Sequence, residues 1–127
     1  MLLDHIDLRV SDLPRARMFY DPLFTAMGLT HVNADAESAG YHPPGEPPNA
    51  PFVWVVQEST HQPNGTRVAF AAPSRAAVDD IAGIARQSGA RAFEAPAIIS
   101  EYGTNYYAAF FEDADGNKLE VCYRGNV

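Results

Sequence analysis

From Leu2 to Val10 apolar and polar residues alternate, with Ile6, Leu8 and Val10 on one side and His5, Asp7 and Arg9 on the other. A period of two predicts a β-strand with one apolar and one polar face. Ser11-Asp12 then supplies a helix cap, Pro14 suits a first turn, and Leu13, Ala16, Phe19, Tyr20, Leu23 and Met27 recur at helical spacing. Pro22 lacks a donor and crowds the Met18 carbonyl, which predicts a kink or break, and Gly28 is the expected stop. Leu29–Ala34 and Ala39–His42 read as short strands. Tyr41–Pro51, with Pro43, Pro44, Pro47, Pro48 and Pro51, reads as a loop, and Phe52–Glu58 as a strand.

After a polar stretch with Pro63 and Gly65, the pattern repeats. Thr66–Ala72 is a strand, and Ser74 caps a helix with the apolar stripe Val78, Ile81, Ala82 and Ala85 and with Gly89 past its end. Arg91–Ala95 is a strand and Ile98–Asn105 a loop. Tyr106–Glu112 and Lys118–Arg124 are strands joined by Asp113-Ala114-Asp115-Gly116-Asn117, a hairpin turn rather than a calcium loop, since the 12-residue frame and its terminal Glu are missing. Each half reads β-α-β-β-β. His5 and Arg67 hold the same place in their first strands, and Trp54 and Glu120 hold matching places in their last. Each half alone is too small to bury a good core. The expectation is therefore one domain over residues 1–127, with module one at 1–58, a connector at 59–65 and module two at 66–127. The fold class is α+β: two βαβββ modules forming a partly closed sheet around a cleft, with helices on the outer face.

Composition narrows the function. Nine Lys and Arg against 16 Asp and Glu give a net charge of −7. That charge repels phosphate backbones and argues against nucleic acid, and it mildly favours a cation. The single cysteine, Cys122, excludes an intrachain disulfide and a four-cysteine zinc site, and reads as an inert thiol. No apolar run approaches a membrane span and the start lacks a signal-peptide pattern, so the expectation is a cytoplasmic protein with no membrane partner. His31, His42 and His61 read as surface residues.

Three segments resemble the vicinal oxygen chelate superfamily, which includes glyoxalase, the bleomycin-resistance proteins and extradiol dioxygenases. They are Leu3-Asp4-His5-Ile6-Asp7-Leu8-Arg9-Val10-Ser11-Asp12-Leu13 with Phe19-Tyr20, then Arg67-Val68-Ala69-Phe70, then Phe110-Phe111-Glu112-Asp113-Ala114-Asp115-Gly116-Asn117-Lys118-Leu119-Glu120. The resemblance implies up to four metal ligands, one from the first and one from the last strand of each module, and a homodimer. His5 and Glu120 match two ligand positions. Arg67 stands at the position of the second His, and Trp54 at the remaining one, unless a one-residue slip puts Val53 or Val55 there. A guanidinium has no lone pair to donate and repels a dication. The reading is thus a protein that binds a small organic molecule, aromatic or cationic, without a catalytic metal, with Arg67 paired directly to Glu120 in the metal's place.

The site residues follow. His5 and Glu120 are the candidate acid–base groups. Asp7, Arg9, Trp54, Arg67 and one of Tyr106 and Tyr107 are the candidate substrate contacts, because alternation sends those two tyrosines to opposite sides. No cofactor is expected. The alternative is a lyase or isomerase of the same superfamily that uses a divalent metal held by His5 and Glu120.

Overall fold

The computed structural model describes residues 2–45 and 52–125, so Pro47, Pro48 and Pro51 of the predicted loop lie outside the described residues. The chain separates into two compact units, Met1–Gln62 and Pro63–Val127. The first unit contains β1 (Ile6–Val10), α1 (Leu13–Ala26), β2 (Thr30–Ala34), β3 (Ser38–His42) and β4 (Val53–Gln57). The second contains β5 (Arg67–Ala71), α2 (Arg75–Gln87), β6 (Arg91–Ile98), β7 (Tyr106–Glu112) and β8 (Lys118–Arg124), with a 3-10 turn at Ser100–Tyr102. Each unit is thus βαβββ, and the class is α+β. Each holds one open four-stranded sheet, ordered β1-β4-β3-β2 in the first and β5-β8-β7-β6 in the second. In both, the first strand runs parallel to the last and the remaining pairs are antiparallel. Among the described residues no helix is long and apolar enough to cross a membrane.

In the first unit, Asp12 caps α1 by accepting from the Arg15 N–H at 3.1 Å. The Gln57 side chain accepts from the Leu13 N–H at 2.8 Å and ties the helix start to β4. The predicted break at Pro22 does not occur, and α1 runs through it. Phe19, Tyr20, Leu23 and Phe24 on both sides of the proline are buried, and that burial outweighs one lost hydrogen bond. Met18, whose carbonyl loses the bond, is exposed. The helix ends at Gly28, whose φ of +84° suits glycine, while the Leu29 N–H bonds the Phe24 carbonyl at 2.9 Å.

In the second unit, Ser74 caps α2, and Val78, Ile81, Ala82 and Ala85 form its buried stripe. The β7–β8 turn is built on the buried Asp113, which accepts from the N–H groups of Asp115 at 3.0 Å and Asn117 at 2.9 Å, with Gly116 at φ +96°. Two strands differ from expectation. Leu2–His5 is not strand: β4 begins at Val53, and among the described residues the bond nearest the chain start in this ladder runs from the Ile6 N–H to the Phe52 carbonyl. β6 runs to Ile98 rather than Ala95. It is an edge strand with two register shifts, where Pro96 is tolerated.

Candidate functional site

Strand register decides which side chains share a face in the second unit. Phe110 opposes Glu120, Ala108 opposes Cys122 and Tyr106 opposes Arg124 across β7 and β8, while Ala69 opposes Glu120 and Arg67 opposes Lys118 across β5 and β8. These residues lie on the face away from α2. The alternate residues, Ala109, Phe111, Leu119 and Val121, are buried on the other face. Tyr107 belongs with them: its hydroxyl donates to Asp79 of α2 at 2.7 Å, and the Arg75 guanidinium sits 5.2 Å from its ring. Of the two tyrosines, it is therefore Tyr106 that shares the face of Glu120.

Glu120 is the centre of this face, at 5% exposure. The Tyr106 hydroxyl donates to its Oε2. Tyr106 starts opposite Arg124, so its ring lies along the sheet to reach Glu120, and the small side chain of Ala108 leaves room for it. Burial, then the Cys122 thiol, then the Glu120 carboxylate push the Tyr106 hydroxyl well above its ordinary pKa, so it stays protonated and remains a donor. The aromatic rings carry the cations. The Arg67 guanidinium lies 4.8 Å from the Phe110 ring centroid and that of Arg124 lies 4.4 Å from Tyr106, while the Tyr102 ring meets Tyr106 edge-on at 5.3 Å.

The expected Arg67–Glu120 ion pair is absent among the described residues. Register supplies the reason. Arg67 lies opposite Lys118, two residues short of Glu120, and stacks on Phe110, while Tyr106 reaches the carboxylate instead. The net charge of −7 also misrepresents this face locally, because Arg67 and Arg124 are both exposed on it. Sequence reasoning passed over Arg124, although it has the same parity in β8 as Glu120 and Cys122.

In the first unit, Asp7 and Arg9 are exposed on the face away from α1, opposite to the buried Leu8 and Val10. Trp54 pairs with Asp7 and is half-buried there, whereas Val53 and Val55 are wholly buried on the helix side. The slip that would exchange Trp54 for a valine is thus not adopted. The registers of the two units match: Trp54 opposes the residue two beyond His5, and Glu120 opposes the residue two beyond Arg67. His42, read as a surface residue, is buried at the end of β3, with Nδ1 2.8 Å from the Pro43 carbonyl oxygen.

His5 precedes β1 and is exposed, with Nδ1 2.6 Å from Asp4 Oδ1. That hydrogen bond, with the nearby Asp4 and Asp7 charges, raises its pKa above the ordinary value near 6.5. A folded pKa above the unfolded one stabilises the fold fully below about pH 6.5, and the contribution fades as pH rises through the folded value. In an NMR titration, His5 is expected to titrate above 6.5 and to move back toward it in Asp4→Asn. A His5 midpoint unchanged by Asp4→Asn would remove Asp4 as the cause.

A family model for the glyoxalase/bleomycin resistance protein/dioxygenase superfamily matches residues 2–121, and the chain belongs to that superfamily, as the vicinal oxygen chelate segments implied. Among solved structures it is similar to a glyoxalase/bleomycin resistance protein from Albidiferax ferrireducens T118, with 26% identity, a TM-score of 0.79, and 98% of this chain and 100% of that one covered. The fosfomycin resistance proteins FosX from Listeria monocytogenes (16% identity, TM-score 0.71, 100% and 95% covered) and Mesorhizobium loti (19%, 0.68, 98% and 92%) share the fold. No curated protein matches the chain.

Members of this superfamily often use a divalent metal. The residues here fit one poorly. Glu120 already accepts the Tyr106 hydroxyl, Arg67 brings a cation to the same face, Glu112 on that face is paired to Lys118 at 3.2 Å, and His5 Nδ1 is held by Asp4. Among the described residues no three His, Cys, Asp or Glu side chains stand together as ligands.

Proposed function

We propose that this chain binds a small organic molecule bearing an aromatic ring, without a catalytic metal, and that Glu120 and Tyr106 anchor it on the face of the second sheet away from α2. The observation that supports this reading best is Glu120 itself. A carboxylate 5% exposed is costly in a plain apolar core, and this one has a hydroxyl partner on one oxygen and aromatic rings beside it. A few polar anchors among aromatic walls are the usual lining of a small-molecule site. Arg67, held on Phe110, supplies a second polar contact. His5, Asp7, Arg9 and Trp54, on or just before the equivalent face of the first sheet, are proposed as further ligand-binding residues. Association into a homodimer belongs to the same proposal, since each sheet is open and its edge strands need cover.

A thermal-shift screen of aromatic metabolites and drug-like compounds tests it, run beside elemental analysis of protein purified without chelator or nickel. Ligands are expected that raise the melting temperature and whose effect drops at least about tenfold in concentration dependence in Glu120→Gln and Tyr106→Phe, with Trp54→Ala weakening them less. Hits indifferent to all three variants would remove the site. A stoichiometric Zn, Ni, Fe or Mn lost in His5→Ala and Glu120→Ala would replace it with the metal-dependent lyase or isomerase reading.

A further inference from the structure

At the end of β7 and β8, the turn at Ser100–Tyr102 and the residues that follow it border a cavity of about 390 Å³ within the second unit. Its walls are Tyr102, Thr104, Asn105, Tyr106 and Arg124, with two glycines. The volume falls in the range of small-ligand pockets. Arg124 is the one charged residue among these walls, and no carboxylate is, so the notch is positive in a chain whose net charge is −7. Among the described residues no carboxylate lies within ion-pair distance of Arg124. Its guanidinium is instead held over the Tyr106 ring at 4.4 Å. A ring beneath a guanidinium attracts its charge without accepting its N–H groups in ordinary hydrogen bonds, so they remain donors for a ligand. That fixed fork matches a carboxylate in two parallel hydrogen bonds.

The second feature is aromatic. Tyr102 is 54% exposed and stands edge-on to Tyr106, with ring planes at 88°. That exposure gives an arene a ring partner within the same notch as the cation. Exposed Thr104 and Asn105 add donors and acceptors at the rim. We propose that this notch is a binding site for a small aromatic carboxylate, with the carboxylate on the Arg124 guanidinium and the ring against Tyr102. The notch shares the Tyr106 ring with the anchor proposed above, but Glu120 is not among its walls.

Chemical-shift titration of the labelled protein with benzoate tests this. Saturable shifts are expected at the amides of Gly103, Thr104, Asn105 and Tyr106. Benzamide and benzylamine should bind at least about tenfold more weakly, because neither presents an anion to the fork, and inorganic phosphate should bind more weakly because it has no ring. Arg124→Gln should weaken benzoate at least about tenfold, and Arg124→Lys and Tyr102→Ala each several-fold. Both positions are exposed at the surface of the unit, and unchanged shifts in α2 verify the fold of each variant. The proposal is overturned if benzoate shifts no amide in the notch, if benzamide binds equally well, if phosphate matches benzoate, or if Arg124→Gln binds benzoate like the wild type.

Discussion

Phe24→Ala is expected to lower the stability of the protein by about 3–5 kcal/mol, the largest loss among the changes considered. Phe24 is wholly buried on α1. Its ring stacks on Tyr20 at 5.3 Å with planes 17° apart, and meets Tyr41 at 4.7 Å. Tyr41 is fixed in turn, because its hydroxyl donates to Asp21, which also pairs with Arg17 at 3.1 Å. Burial, then the Asp21 hydrogen bond, push the Tyr41 hydroxyl far above its ordinary pKa, so it remains a donor across the accessible pH range. With both neighbouring rings held, the space left by Phe24 cannot collapse, and the cavity cost adds to the lost burial. Met18→Ala, on the same helix but 76% exposed, should change stability by less than about 0.5 kcal/mol. Urea denaturation of the two variants gives the comparison. A Phe24→Ala loss below about 1 kcal/mol would mean that the cluster repacks and is not the core of the first unit.

The elements that alternation and caps announce are those the chain adopts. Tyr106–Glu112 and Lys118–Arg124 appear with the predicted bounds, and Asp12 and Ser74 cap the helices that follow them. What a single strand cannot show is where its partner stops. Leu2–His5 continues the alternation of β1, yet among the described residues no strand pairs with it, so His5 stands just before the sheet. The site was legible to the same degree. Parity alone places Glu120, Cys122 and Arg124 on one face and splits Tyr106 from Tyr107. Which tyrosine faces α2 depends on Asp79 and Arg75, about 30 residues away in sequence. The Arg67–Glu120 pairing failed for a related reason. Both residues have the correct parity, but the β5–β8 register sets Ala69, not Arg67, beside the carboxylate. Charge complementarity read from sequence suggests a partner, and the offset along the strand decides whether it can be reached.

Tyr106→Phe should therefore cost more than any change at Arg67. Removing the hydroxyl leaves the buried Glu120 carboxylate without its protein donor, and hydrogen bonds to charged groups contribute about 1.5–3 kcal/mol, so a loss of about 2–3 kcal/mol is expected. Glu120→Gln keeps the shape, removes the charge and should cost about 1–2 kcal/mol. Because the two side chains form one hydrogen bond, the double variant should fall short of the summed losses by about 1–2 kcal/mol. Arg67→Gln lies outside that bond. Combined with Glu120→Gln, it should be additive to within about 0.5 kcal/mol, since its main contact is the Phe110 ring. Both cycles can be measured by urea denaturation at one pH and salt concentration. Strong coupling between Arg67 and Glu120 alongside additivity for Tyr106 and Glu120 would return the ion pair to the centre of the face and take Tyr106 out of it. The opposite pattern fixes the Tyr106 hydroxyl as the group that holds the Glu120 carboxylate in place.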